Sequence, residues 1–362
     1  SSVTGPALGG IFVQYVGWEW VFWINVPFGI LTLFGLHLFF REEIDKTKPQ
    51  IDYSGSLLLL ITIGSLMTLF IGSGSLWSWQ SEPFFILAVV FVIGLTAFIR
   101  RQQVAPEPLM PLSLWQNRTI VLSNLTALTS HMVLIGISTF LPTYVQGVME
   151  YSPSIAGLTL GMMSIGWPLA STLGGRFMHR IGLRRMSVSG SVAIILGTIV
   201  FMFLKPEFGP VYAGSGAFLT GVGLGLLSTA SMLIVQGSTE WKVRGSATAL
   251  IMFMRISGST IGASILASIL NTRYASYMRE NADTANIPVN IDDANMLLDP
   301  NRPVIDESVI ALLKGGLVHG LNSVYVSTFL LALITFLLIV WLPQTKVTSP
   351  WQRNKSAEGQ GS

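Results

Sequence analysis

Residues 317–342 read LVHGLNSVYVSTFLLALITFLLIVWL, and no Asp, Glu, Lys or Arg interrupts them. An α-helix crosses the hydrocarbon core of a membrane with about 20 mostly apolar residues, within a range of roughly 17–25. Eight further segments come close to that length or exceed it: 21–40, 53–72, 84–99, 119–145, 154–173, 186–204, 211–236 and 246–270. The run 84–99 is short, and Pro83 with the residues around it can extend it. Nine such runs exceed what a globular core needs, whereas in lipid each can satisfy its backbone within a helix. The expected class is therefore all-α, a polytopic membrane helical bundle whose first partner is the lipid bilayer.

Composition agrees. Hydrophobic residues make up 51% and charged residues 11% of the chain, against about 25% charged in a soluble domain. Mean hydropathy is +0.61. Cysteine is absent, which excludes a disulfide framework, a thiol nucleophile and a Cys-based metal site. The net charge of +3 is too small to suggest a nucleic-acid partner. The first residues lack the basic region and cleavage pattern of a secretory signal. A tenth apolar segment, Val3 to Val16, is too short to cross and reads as the second half of a helix, so the start is expected to be a truncation.

The connections test the parse. When alternate connections are placed on one side, that side holds Arg41, Lys46, Lys48, Arg100, Arg101, Arg118, Arg176, Arg180, Arg184, Arg185, Lys242, Arg244, Lys346, Arg353 and Lys355. The other side holds Lys205, Arg273, Arg279, Arg302 and Lys314. Fifteen against five makes the first side cytoplasmic by the positive-inside rule, with the C-terminus on that side of the plasma membrane. Trp18, Trp20, Trp23, Trp77, Trp79, Trp115 and Trp341 fall near span ends, where amphipathic rings anchor helices. The long acidic stretch 271–316 is expected to be an external loop, with IDESVIALLK (305–314) as a short helix on the membrane surface.

No catalytic constellation appears: there is no phosphate-binding loop, HExxH or GxSxG, and His37, His131, His179 and His319 are scattered. No enzyme activity, cofactor or metal is expected. Charge inside the spans says more. None of the nine contains Asp or Glu, and Arg255, in LIMFMRISGSTIGAS, is the one permanent charge. A charge near the bilayer centre is costly by about 2.5–3.5 kcal/mol, so it faces a partner or a polar path. Arg255 is read either as a snorkelling structural residue or as one that lines or gates an aqueous path. His131, in LTSHMVLIG, either binds substrate and exchanges protons or bonds to a neighbouring helix. Gly5–Gly9, Gly157–Gly161, Gly221–Gly225 and Gly258–Gly262 each have the four-residue spacing that presents a flat face to another helix, for static packing or for rocking.

The opening SSVTGPALGG, with Gly5, Pro6, Gly9 and Gly10, resembles the second half of the antiporter signature in the fifth span of major facilitator exporters. WEWVFWINVPFG (18–29) resembles the loop and sixth span of the 14-span drug:proton antiporter branch, the EmrB/QacA type, with Glu19 where that branch usually has a basic residue. GGRFMHRIGLRR (174–185) resembles the cytoplasmic loop signature of the superfamily: Gly175, Arg180, Gly182, Arg184 and Arg185 match, Arg176 lies among them, and His179 stands where the pattern wants an acid. FMRISGSTIGASI (253–265) is similar to the branch's thirteenth span, with Arg255 at its usual Arg.

The resemblance implies the major facilitator fold in this register: residues 1–45 end the N-terminal six-helix half, 46–110 hold an extra central helix pair, 111–345 form the C-terminal six-helix half, and 346–362 are a cytoplasmic tail. The loop 174–185 is then expected to latch the inward-closed state through helix ends and a carboxylate. The implied function is multidrug efflux by proton antiport with alternating access, the partners being small lipophilic or cationic substrates and protons. Adaptable side chains suit a poly-specific cavity, and the candidates are Asn25, Met132, Tyr144, Met162, Met163, Trp167, Met232, Phe253 and Met254. Coupling carboxylates are expected ahead of residue 1, so residues 1–362 alone are expected to confer no drug resistance. Two other readings remain: a facilitator-type exporter of a specific solute such as an amino acid, siderophore or sugar, and a non-transporting membrane receptor or scaffold.

Overall fold

The computed structural model describes residues 12, 17, 19–39, 52–72, 77, 80–106, 108–240, 243–285 and 307–343. Among them every regular element is helical. After a single turn at Trp20–Trp23 come α1 (Asn25–Phe39), α2 (Tyr53–Gly72), α3 (Glu82–Val104), α4 (Arg118–Thr143), α5 (Pro153–Ile181), α6 (Leu183–Met202), α7 (Gly209–Gly237), α8 (Arg244–Ala285) and α9 (Glu307–Val340). A π-turn, Tyr144–Val148, continues α4 past Pro142, whose missing N–H and bulky ring disturb the regular ladder just before it.

Seven of the described helices are long and apolar enough to cross a membrane: α2, α3, α4 with its π-turn, α6, α7, α8 and α9. Helix α5 has the length, 29 residues. Its glycines and hydroxyls, among them Thr159, Gly161 and Gly166, dilute its apolar character, and Arg176 and Arg180 occupy its last turns. Helix α1 is 15 residues long and buries no side chain. The expected span 84–99 lengthens to 23 residues, with Ser81 at the cap and Pro83 in the first turn.

Helices α4–α9 make one bundle. In it α7 lies between α5 and α6, α8 lies against α4 and α9, and α9 also touches α4 and α6. Helices α2 and α3 form a hairpin that leans on the bundle through α2 and α8. The ends holding Arg100, Arg101, Arg118, Arg176, Arg180, Arg184, Arg185 and Arg244 lie on one side by strict up–down alternation; we call this the basic end. The bundle core is Val133, Ile137, Leu141, Leu266 and Leu321, with an aromatic group at its far end. There the Phe201 and Tyr325 rings stack at 5.5 Å, and Tyr144 Oη donates to Leu204 O at 3.1 Å. Outward faces stay apolar: Val89, Val92 and Ile93 of α3 are 56%, 58% and 63% exposed, as lipid-facing positions are.

Two expectations change. The loop 174–185 is no loop: α5 runs to Ile181 and α6 starts at Leu183, leaving Gly182 alone at φ +83°, where a side chain would be strained. The stretch 271–316 is largely helical where described. Helix α8 continues to Ala285, and residues 307–314 are the first turns of α9 rather than a separate surface helix. The reason is packing: Leu313 is fully buried, Gly316 lies against Tyr274 and Met278, and Lys314 Nζ pairs with Glu150 at 2.9 Å.

Candidate functional site

Close helix contact builds the site. A Cβ on Gly221 would collide with Met163 O, and one on Gly225 with Trp167 O, so α7 lies backbone-to-backbone on α5. A Cβ on Gly258 would meet Leu128 O, and one on Gly262 would sit 2.8 Å from Met132 Cα, so α8 lies likewise on α4. Gly161 meets nothing within 4 Å and is not part of such a contact. Gly5, Pro6, Gly9 and Gly10 lie outside the described residues.

These contacts bring His131 of α4, Trp167 of α5 and Arg255 of α8 together beside Ser228 of α7. Arg255 Nη2 donates to Ser228 O at 2.9 Å, and Nη1 approaches Met252 Sδ at 3.9 Å. Its Nε is buried without a partner. No carboxylate among the described residues pairs with it. His131 Nδ1 lies 2.9 Å from Ala127 O; a carbonyl only accepts, so Nδ1 carries the hydrogen and Nε2 is the atom left to take up a proton. The ring meets Trp167 edge-on at 6.2 Å, and Arg255 is within electrostatic range of it.

Nearer the basic end, α4 carries buried residues that the motifs did not single out, of which Asn124 lies two turns from His131 on the same face. Ser123 Oγ, both polar atoms of the Asn124 amide and Thr126 Oγ1 are buried with no hydrogen-bond partner. Asn124 is 0% exposed. Further along α4, Thr335 Oγ1 donates to Thr129 Oγ1 at 2.8 Å. The signal was in SNLTALTSH (123–131), a polar run inside a span, but hydroxyls that bond to their own helix look alike in sequence.

The cavity candidates separate. Met132, buried, sits at the α4–α8 contact. Met232 and Phe253 border a cluster of Ala127, Val235, Ile251 and Met254. Met163 is buried at the α5–α7 contact and Met162 is exposed. Tyr144 belongs to the distant aromatic group, and Asn25 is exposed on α1. At the α5–α6 corner, Arg184 Nη2 donates to Val340 O, the last carbonyl of α9, at 2.8 Å. Arg176, Arg180 and Arg185 are exposed, Gly175 has open space beside it, and the His179 side chain is outside what is described.

The hairpin is fixed at the basic end. Asp52, with a side chain 3% exposed, accepts from Gly55 N at 3.0 Å, Arg101 Nε at 2.9 Å and Gln102 Nε2 at 3.1 Å. Gln102 Oε1 accepts from Met110 N at 2.9 Å. The Gly55 amide first, and then Arg101 and Gln102, hold the Asp52 carboxyl below its ordinary 3.8.

The family model described as Major Facilitator Superfamily matches residues 1–263. Multidrug resistance protein 3 of Bacillus subtilis (strain 168) is 27% identical over 372 residues, taking in 99% of this chain and 71% of its own length. Multidrug transporter protein MdtP of the same organism is 24% identical over 383 residues, with 99% and 70% covered. Multidrug resistance protein Stp of Mycobacterium tuberculosis is 26% identical over 360 residues, with 95% and 66% covered. Among solved structures, a bacterial homolog to the human lysosomal transporter Spinster, crystallised inward-facing and occupied, superposes with a TM-score of 0.51 at 16% identity, over 82% of this chain and 67% of that one. On the family match and the helical bundle together, the chain belongs to the Major Facilitator Superfamily and is a multi-pass membrane transporter rather than an enzyme.

Proposed function

We propose that these residues form the greater part of a cell-membrane exporter that moves lipophilic, often cationic, compounds outward in exchange for protons by alternating access. The observation that carries the reading is likeness, along nearly the whole chain, to three proteins named for multidrug resistance or transport. The basic end is cytoplasmic in this reading, and so is the C-terminus, because Lys and Arg concentrate there.

Helices α4–α9 act as one rocking half, residues 111–345, and α2–α3 as the extra central pair in 46–110. Substrate binds at mid-membrane, beside the face that holds His131, Trp167 and Arg255. Unpartnered Asn124, Ser123 and Arg255 Nε support an aqueous path there, since buried polar atoms are costly unless a second state or water completes them. His131 Nε2 is the titratable position on that path. Arg184, bonded to the last carbonyl of α9, ties two helices of this half together at the cytoplasmic corner, so that the half moves as a unit.

The test is a resistance panel in pump-deficient cells expressing the whole protein, with toxic lipophilic cations in one arm and toxic analogues of amino acids, siderophores and sugars in the other. Protection across several unrelated cations is the expected result. Protection confined to one metabolite class would replace the drug reading with a specific-solute exporter.

A further inference from the structure

Between the α2–α3 hairpin and the bundle lies a groove of about 420 Å³. Its walls are Leu59 and Leu66 of α2, Phe91 and Phe98 of α3, and Phe253 and Ile261 of α8. Three of its features specify what it holds. The first is chemistry. Thr62 Oγ1 donates to its own helix at Leu58 O, 2.7 Å away, and the Gln102 amide is engaged at both ends by Asp52 and Met110. With Ser257 the only other hydroxyl in the wall, nothing there balances a charge. The groove suits plain hydrocarbon.

The second feature is length. On α3 the groove runs from Phe91 to Gln102, which at 1.5 Å per residue is about 16 Å. Half of a hydrocarbon core of about 30 Å is one leaflet. The groove starts near the middle of the bilayer and ends at the basic end beside Met110 and Trp115. The third is charge. Arg118 is exposed at that end, in the first turn of α4, whose Leu128 lines the groove; Arg100 is on the far face of α3, and Arg101 is taken up by Asp52.

We propose that this groove seats one acyl chain of an anionic phospholipid from the leaflet at the basic end, with the headgroup beside Arg118. The chain fills the space between hairpin and bundle, so the lipid fastens α2–α3 to α8. The proposal needs only the membrane placement of the helices and is independent of the drug reading.

Trp115 in the groove wall is the reporter. The protein is reconstituted in nanodiscs containing phosphatidylglycerol or phosphatidylcholine brominated at mid-chain, and quenching of Trp115 is taken as the difference between wild type and Trp115→Phe. Saturable quenching is expected, with half-effect at a brominated phosphatidylglycerol fraction about tenfold below that needed with phosphatidylcholine, the ratio set by about 1.4 kcal/mol of headgroup preference. Ser257→Phe, which fills the groove, returns quenching to the bulk-lipid line; Ile261→Phe is the second filling variant, and thermal unfolding confirms that each is folded. Quenching proportional to bulk brominated lipid and equal for both headgroups would overturn the proposal, leaving annular lipid only. Loss of quenching on adding tetraphenylphosphonium would also overturn it, by assigning the groove to a lipophilic cation.

Discussion

Asn124 is fully enclosed with both ends of its amide unpartnered, an arrangement that costs about 1–3 kcal/mol relative to an apolar residue of the same shape. A transporter keeps such a residue when another state of its cycle supplies the partners. Asn124→Leu is therefore expected to stabilise this state by about 1–3 kcal/mol in thermal unfolding while slowing efflux; a stabilised variant with unchanged efflux would make Asn124 structural. Arg255 is partly engaged, through Nη2, while its Nε is left unpartnered, and the proposed path runs beside it. Arg255→Ala is expected to lower the efflux rate at least about tenfold, the equivalent of losing one charge-assisted hydrogen bond of roughly 1.5–3 kcal/mol. Unchanged efflux would remove it from the path. Arg255 was legible in the sequence because a lone cation inside a span stands out against apolar neighbours. Asn124 was not, because sequence does not say which polar residues of SNLTALTSH find a carbonyl on their own helix.

At the scale of elements, glycine spacing announced helix contacts but not which ones form. Gly221 and Gly258 meet backbone carbonyls of facing helices, whereas Gly161, with the same spacing signal, faces open space. Gly221→Leu and Gly258→Leu are each expected to destabilise by about 1–3 kcal/mol or more, because a neighbouring backbone cannot yield as a side chain can. Gly161→Ala is expected to be neutral or to stabilise by up to about 1 kcal/mol through helix propensity. Equal losses at all three in a thermal-unfolding series would contradict the assigned contacts. The hairpin depends on Asp52 instead. Its folded value lies below 3.8, so its contribution is fully present above pH 3.8 and is lost as the pH falls through the lowered value. Hydrogen exchange at the start of α2 and at Met110 N is expected to quicken in Asp52→Asn at neutral pH, and in the wild type only in acid. No change in either would dismiss the cluster as the fastening. Helix boundaries were the least legible feature. The acidic stretch after residue 270 suggested a loop, and tertiary packing of Tyr274, Met278 and Leu313 extends α8 to Ala285 and starts α9 at Glu307.

For the whole molecule, the membrane class followed directly from apolar runs of bilayer length and from the fifteen-to-five division of basic residues. The family resemblance rested on short stretches with unusual composition, such as Gly-Pro with paired glycines and a helix corner dense in arginine. The meeting of His131, Trp167, Ser228 and Arg255 was beyond reach, since it joins four helices separated by long stretches of chain and depends on which glycines let backbones touch. Function at this scale comes down to whether a proton gradient drives lipophilic cations across the bilayer through this bundle. In everted vesicles carrying the whole protein and acidified inside, a fluorescent lipophilic cation is expected to accumulate in the lumen, and a protonophore to release it. Accumulation that is indifferent to the protonophore, or absent with the protein folded and inserted, would contradict proton-coupled export.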